Sequence, residues 1–206
     1  SAASDVYKRQ RLFDRFPKLR TDVINADPDG VNINDKCGST HIDILAAMVK
    51  AGGYDIGIAF DGDADRCLAV DEQGNLIDGD QIMAACGLDR KEKGQLPGDT
   101  VVATVMSNLG LHVFAGEHGL KLECTSVGDR NVLERMQEKG YVLGGEQSGH
   151  MIFLDYATTG DGQLTALQVL ALLKESGKKA SEVFSSCARY PVSYTHLRAH
   201  ETVLDL

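Results

Sequence analysis

Short apolar runs alternate along this chain with stretches whose apolar residues recur at helical spacing, and that alternation limits the fold more than any other feature. The runs Ile56–Phe60, Cys67–Val70, Thr100–Val105, Leu120–Cys124, Tyr141–Leu143 and Met151–Leu154 read as strands. Another is expected at Thr21–Ala26, ending in the turn Asp27-Pro28-Asp29-Gly30. A helical remnant at Arg11–Phe16 is broken by Pro17. Thr40 with Asp43 forms a capping-box start for a stripe of Ile44, Leu45, Met48 and Val49, closed by Gly52-Gly53. Further helices are expected from Asp80 to Lys91, from Ser107, at Asp129–Lys139 before Gly140, and at Gln163–Ser176 before Gly177. The class is therefore α/β, with two α/β/α layered domains whose sheets are mixed and largely parallel. The expected division is 11–78 and 79–192, meeting near Asp78; the ends 1–10 and 193–206 break the pattern and are expected to be non-native.

A chain of 206 residues, 43% hydrophobic, can bury a real core. Its formal net charge of -9 argues against nucleic acid as partner, because phosphate backbones reward clustered Lys and Arg. The odd cysteine set Cys37, Cys67, Cys86, Cys124 and Cys187 has no C-x-x-C spacing and reads as buried thiols in a reducing compartment. No apolar stretch is long enough to span a membrane and no secretion signal opens the chain, so a cytoplasmic location is expected.

The loop Asp61-Gly62-Asp63-Ala64-Asp65-Arg66 follows the strand Ile56–Phe60. Three carboxylates at alternate positions repel one another unless a cation sits between them, and hard oxygen ligands select Mg²⁺ or Ca²⁺. Asp61, Asp63 and Asp65 are thus the candidate metal ligands, and Arg66 adds a fixed positive charge suited to a phosphate. An EF-hand is the rival, with Glu72 as its last ligand, but Arg66 stands where that loop needs Gly and strands flank it. A solvated acidic turn is the plain alternative.

A second loop, Gly144-Gly145-Glu146-Gln147-Ser148-Gly149-His150, has what polyol recognition needs. Glu146 accepts from neighbouring hydroxyls, Ser148 donates, and glycines allow close backbone approach. His150 suits either a phosphate contact or proton transfer. By itself such a turn is common.

In this order, the two loops resemble the magnesium-binding and sugar-binding motifs of the α-D-phosphohexomutase superfamily. Pro28-Asp29-Gly30-Val31-Asn32-Ile33-Asn34, Cys37-Gly38-Ser39-Thr40-His41, Val105-Met106-Ser107-Asn108-Leu109-Gly110, Val127-Gly128-Asp129-Arg130 and Thr158-Thr159-Gly160-Asp161-Gly162 are similar to the phosphoglucosamine mutase branch. The resemblance implies a fragment covering most of the second and the third of four domains. It implies Mg²⁺ on Asp61, Asp63 and Asp65, Arg66 lining the phosphate site, a sugar phosphate held by Glu146, Ser148 and His150, and Arg66 and His150 as assisting groups. That family's nucleophile is a phosphoserine in a Thr-x-Ser-His-Asn setting; no such string occurs here, so the fragment alone is expected to be inactive. Cys124-Thr125-Ser126 stands where the family often has Arg-Thr-Lys.

Ser107-Asn108, Thr159 and Asp161 are read as helix caps and His41 as a polar first-turn residue. The alternatives to the phosphoglucosamine mutase branch are a phosphomannomutase or phosphoglucomutase fragment, and a non-catalytic module binding Mg²⁺ and sugar phosphate. Gln147, where the phosphomannomutase relatives usually carry Met, and Asn32-Ile33-Asn34 favour the first.

Overall fold

Ile56–Phe60 and Cys67–Asp71 pair as an antiparallel hairpin, β1 and β2, with Ile56 opposite Asp71 and Phe60 opposite Cys67. The computed structural model describes residues 12–27, 29 and 31–191, so the expected foreign ends lie outside the described residues. Asp71 folds the chain back: its Oδ1 accepts the N–H groups of Gln73 at 2.9 Å and Asn75 at 2.8 Å, and β3 (Leu76–Ile77) then joins β2. This three-stranded sheet, ordered β1-β2-β3, is antiparallel throughout, where a largely parallel one is expected. The reason is length, since the loop 61–66 is far shorter than the dozen or so residues a parallel crossover takes.

Two local expectations in this half are corrected. Residues 21–26 form no strand: no ladder partner is described for them, and Val23 and Ile24 stay exposed. Helix α1 (Asp43–Gly52) begins too late for Thr40 to cap it; its N-cap is Ile42, without a side-chain bond, and Thr40 Oγ1 lies 3.1 Å from His41 Nδ1 instead. Asp43 still sits in the first turn, where the helix dipole favours it, and Gly53 closes the helix in the left-handed conformation.

The second sheet has the order β5-β4-β6-β7. Its strands are β4 (Thr100–Thr104), β5 (Lys121–Thr125), β6 (Leu143–Gly145) and β7 (Met151–Phe153). β4 is parallel to β5 and β6, and β7 returns antiparallel to β6. The helices are α2 (Gly79–Glu92), α3 (Leu109–His118), α4 (Asp129–Lys139), α5 (Gly162–Ser176) and the short α6 (Ala180–Phe184). Central β4 is buried along its whole length and feeds both faces. Val101 and Ala103 join Ile82, Met83, Leu111 and Phe114 on one side, while Val102 joins Val132, Met136 and Ile152 on the other. Ala69 and Ile77 of the first sheet belong to the larger of these clusters, so the halves share apolar contact.

Because β5 and β6 flank β4 on opposite sides, the strand order reverses beside β4, and crevices at the carboxyl ends of such strands are where α/β sheets bind ligands. Asp78 starts α2 with a full capping box, its Oδ1 accepting the Gln81 N–H at 3.1 Å while Gln81 Oε1 accepts the Asp78 N–H at 3.2 Å. Asn108 caps α3 through the Gly110 N–H at 3.0 Å. Asp161 caps α5 through those of Gln163 and Leu164. Among the described residues no helix is long and apolar enough to cross a membrane.

Candidate metal centre and sugar-binding loop

The acidic loop is the tip of the β1-β2 hairpin. Ala64 adopts φ 64°, and the Arg66 N–H reaches back to Asp61 Oδ1 at 3.2 Å, so the loop curls and the three carboxylates converge. One oxygen from each of Asp61, Asp63 and Asp65 lies within 4.8 Å of the others. Burial raises the Asp61 carboxyl well above its ordinary value, and its hydrogen bond with Asp65 and the neighbouring negative charges raise it further against the Arg66 N–H. Asp65 goes the other way: burial opposes ionisation, but hydrogen bonding from Asp61 and His150 and the charges of His150 and Arg66 outweigh it. The Arg66 side chain is half-exposed, with Nε 3.9 Å from Asp61 Oδ2.

The second loop is the β6-β7 hairpin tip. Glu146 and His150 close it, with Glu146 N–H donating to His150 O at 3.0 Å and Gly149 N–H to Glu146 O at 3.0 Å. Glu146 Oε1 accepts the Gly128 N–H at 3.0 Å, which ties the loop to the start of α4 at the carboxyl end of β5. Ser148 Oγ lies 3.5 Å from Glu146 Oε2.

These tips, far apart in sequence, are bonded to each other. Cys67 N–H donates to Gly149 O at 3.0 Å, and Arg66 and His150 form an isolated antiparallel bridge. Gly149 has φ 93°, and a Cβ on it would stand 2.5 Å from Cys67 O, so the approach requires glycine. His150 is 5% exposed, with Nδ1 3.0 Å from Asp65 Oδ2. Of the sequence candidates, Asp61, Asp63 and Asp65 form one cluster, Arg66 and His150 border it, Glu146 is bonded to the α4 start, and Ser148 lies beside Glu146.

Three glycines support the site through contacts that the sequence did not assign to them. Gly79 N–H donates to Gln147 O at 3.0 Å, and a Cβ there would stand 2.1 Å from Glu146 O. Gly128 holds Glu146, and Gly162 N–H donates to Ala64 O at 2.9 Å. Each is a glycine at an element boundary, a position that sequence reads only as punctuation.

Asp65 Oδ1 is buried with no hydrogen-bond partner among the described residues. An orphaned carboxylate oxygen beside two further carboxylates fits a hard divalent cation such as Mg²⁺, which supplies the missing partner and relieves the repulsion.

Fold and site together define an α/β protein in which a cluster of three carboxylates able to hold a hard cation is bonded to a glycine-rich hairpin tip. Residues 9–74 match the profile of phosphoglucomutase/phosphomannomutase alpha/beta/alpha domain II, and residues 78–190 that of domain III. The chain belongs to the phosphoglucomutase/phosphomannomutase family. It is 63% identical over 172 residues to a phosphoglucosamine mutase of Ruminiclostridium cellulolyticum, covering 84% of this chain and 38% of the relative. To that of Acetivibrio thermocellus it is 62% identical over 163 residues, covering 79% and 36%. The chain thus spans well under half the length of these curated relatives. Among solved structures, a phosphoglucomutase/phosphomannomutase family protein from Burkholderia thailandensis superposes with TM-score 0.66 at 27% identity, covering 81% of this chain and 37% of that one. Aspergillus fumigatus N-acetylphosphoglucosamine mutase, in complex with GlcNAc-6P and magnesium, shares the fold with TM-score 0.68 at 21% identity, covering 90% and 44%.

Proposed function

We propose that this chain is the metal-binding and sugar-binding portion of a cytoplasmic phosphoglucosamine mutase, which interconverts glucosamine 6-phosphate and glucosamine 1-phosphate. The observation that carries this is the direct bonding of the acidic tip to the Glu146–His150 tip, in a chain whose relatives at 62–63% identity are phosphoglucosamine mutases. Asp61, Asp63 and Asp65 hold Mg²⁺, which when bound supplies positive charge beside a transferring phosphoryl group. Arg66 adds a second positive charge at the rim. Glu146, its carboxylate steadied by the Gly128 N–H, accepts from sugar hydroxyls, and Ser148 donates to them. Fixed donors and acceptors of this kind orient a substrate without reorganising during the reaction. Five free cysteines suit a reducing compartment.

The test is a chimera in which this chain replaces the corresponding segment of the Ruminiclostridium cellulolyticum enzyme. Turnover of glucosamine 6-phosphate in preference to mannose 6-phosphate is expected; a folded chimera that prefers mannose 6-phosphate, or turns over neither, overturns the assignment. The 206-residue chain alone is expected to form no glucosamine 1-phosphate from glucosamine 6-phosphate and Mg²⁺, and turnover by it would refute the view that the nucleophile lies elsewhere.

A further inference from the structure

The two oxygens of Asp65 are treated differently by the fold. Oδ2 lies 3.0 Å from His150 Nδ1, while Oδ1 is buried without a partner among the described residues. A carboxylate can only accept, so the imidazole carries its proton on Nδ1 and donates it to Oδ2. The ring is held from behind by the turn ahead of α5, where a Cβ on Gly160 would stand 2.2 Å from His150 Nε2 and 2.3 Å from Cε1. The same turn grips the acidic loop through the bond from Gly162 N–H to Ala64 O. The His150 backbone is fixed by its bond from Glu146 and its bridge to Arg66. The imidazole is therefore clamped between the 160–162 turn and one carboxylate of the triad.

We propose that His150 is a positioning residue, braced by Gly160, that holds Asp65 with Oδ1 turned toward the metal. Its Nδ1 is engaged inside the protein, and the sugar phosphate is left to Glu146, Ser148 and Arg66. This rests on the Mg²⁺ assignment above. Groups that orient a ligand by hydrogen bonding typically govern metal affinity by about 10–100-fold.

Calorimetric titration of the 206-residue chain with MgCl₂ tests both layers. Asp63→Asn, which removes a charged ligand, is expected to weaken Mg²⁺ binding and so checks the metal assignment. His150→Ala is expected to lower affinity by about tenfold or more. His150→Asn, whose amide nitrogen replaces Nδ1, restores most of it. Gly160→Ala is expected to weaken binding in the parent and to have little effect in the His150→Asn background, where no ring remains to displace. Loss in Asp63→Asn with full affinity in His150→Ala overturns the positioning role alone, whereas full affinity in both overturns the metal assignment. If His150→Ala does not fold, the Asn variant decides: binding as weak as in Asp63→Asn overturns the role, and parent-like affinity together with the dependence of Gly160→Ala on the ring supports it.

Discussion

Replacing Asp80 with Asn should stabilise the protein at neutral pH, and the effect should appear and disappear with pH in a fixed direction. Asp80 lies in the first turn of α2 and is 2% exposed. Its Oδ2 accepts the Asn108 N–H at 2.6 Å, while Oδ1 and Ser107 Oγ are buried with no well-formed hydrogen bond among the described residues, so that Ser107 offers the carboxylate only a weak contact. Burial pushes the carboxyl up from 3.8 to about 6, against the Asn108 N–H, Ser107 and His112, with the Asp78 charge adding to the rise. A rise of about two units corresponds to about 3 kcal/mol held against the ionised form. The sign follows from linkage. Below pH 3.8 the carboxyl is protonated folded and unfolded, and its contribution is complete; as pH rises through about 6 that contribution is lost. Asn keeps an acceptor for the Asn108 N–H, never ionises, and places a donor beside Ser107. At pH 7.5 the variant should therefore be more stable by about 1–3 kcal/mol, with most of the gap opening between pH about 4 and about 6. Urea unfolding of both proteins across that range measures it. A variant no more stable than the parent at pH 7.5, or an offset that ignores pH, refutes the reasoning.

Gly79→Ala should cost more than about 2 kcal/mol in urea unfolding, because its Cβ meets the Glu146 carbonyl, a backbone atom with nowhere to move. Asn108→Ala removes the α3 cap and both bonds to Tyr190, at 2.8 Å and 2.9 Å, so a loss of about 1–3 kcal/mol is expected by thermal unfolding, with faster protease cleavage near 188–190. Arg90→Lys should lose about 1–2 kcal/mol by urea unfolding, because the buried guanidinium grips Asp155 with two nitrogens, at 2.9 Å and 3.3 Å, and lies over the Phe153 ring, a planar match an ammonium cannot copy.

What sequence could reveal here was whatever a local signal carries. Helix α4 runs Asp129–Lys139 as expected because an acidic start and a left-handed glycine stop mark its ends, and the acidic triad was legible because three carboxylates in one loop leave few options. The antiparallel β1-β2 pairing was also encoded, in a connection too short for any crossover. Helix α6 escaped because five residues make little more than one turn, too few for an amphipathic repeat to show, even though Phe184 fills the core. Asp80 marked only the start of an expected helix, since nothing local says that Asn108 and Cys187 will close over it.

The meeting of the two loops had no local signature at all. A glycine in a Gly-rich turn reads the same whether solvent or a carbonyl lies beside it; at Gly149 it is Cys67 O, 2.5 Å from where a Cβ would be. His150 likewise reads as a free imidazole until the first sheet docks and Asp65 arrives at 3.0 Å. Docking depends on apolar surface shared between the halves, Ala69 and Ile77 against the α2 side of the larger cluster, and burial of that kind is non-directional. Direction comes instead from a few backbone bonds, Cys67 to Gly149 and Gly162 to Ala64, which fix the register of one hairpin tip on another. The residue types in the site are therefore a local property of the chain, whereas their pairing, and with it the surroundings of His150, is set by the contact between sheets.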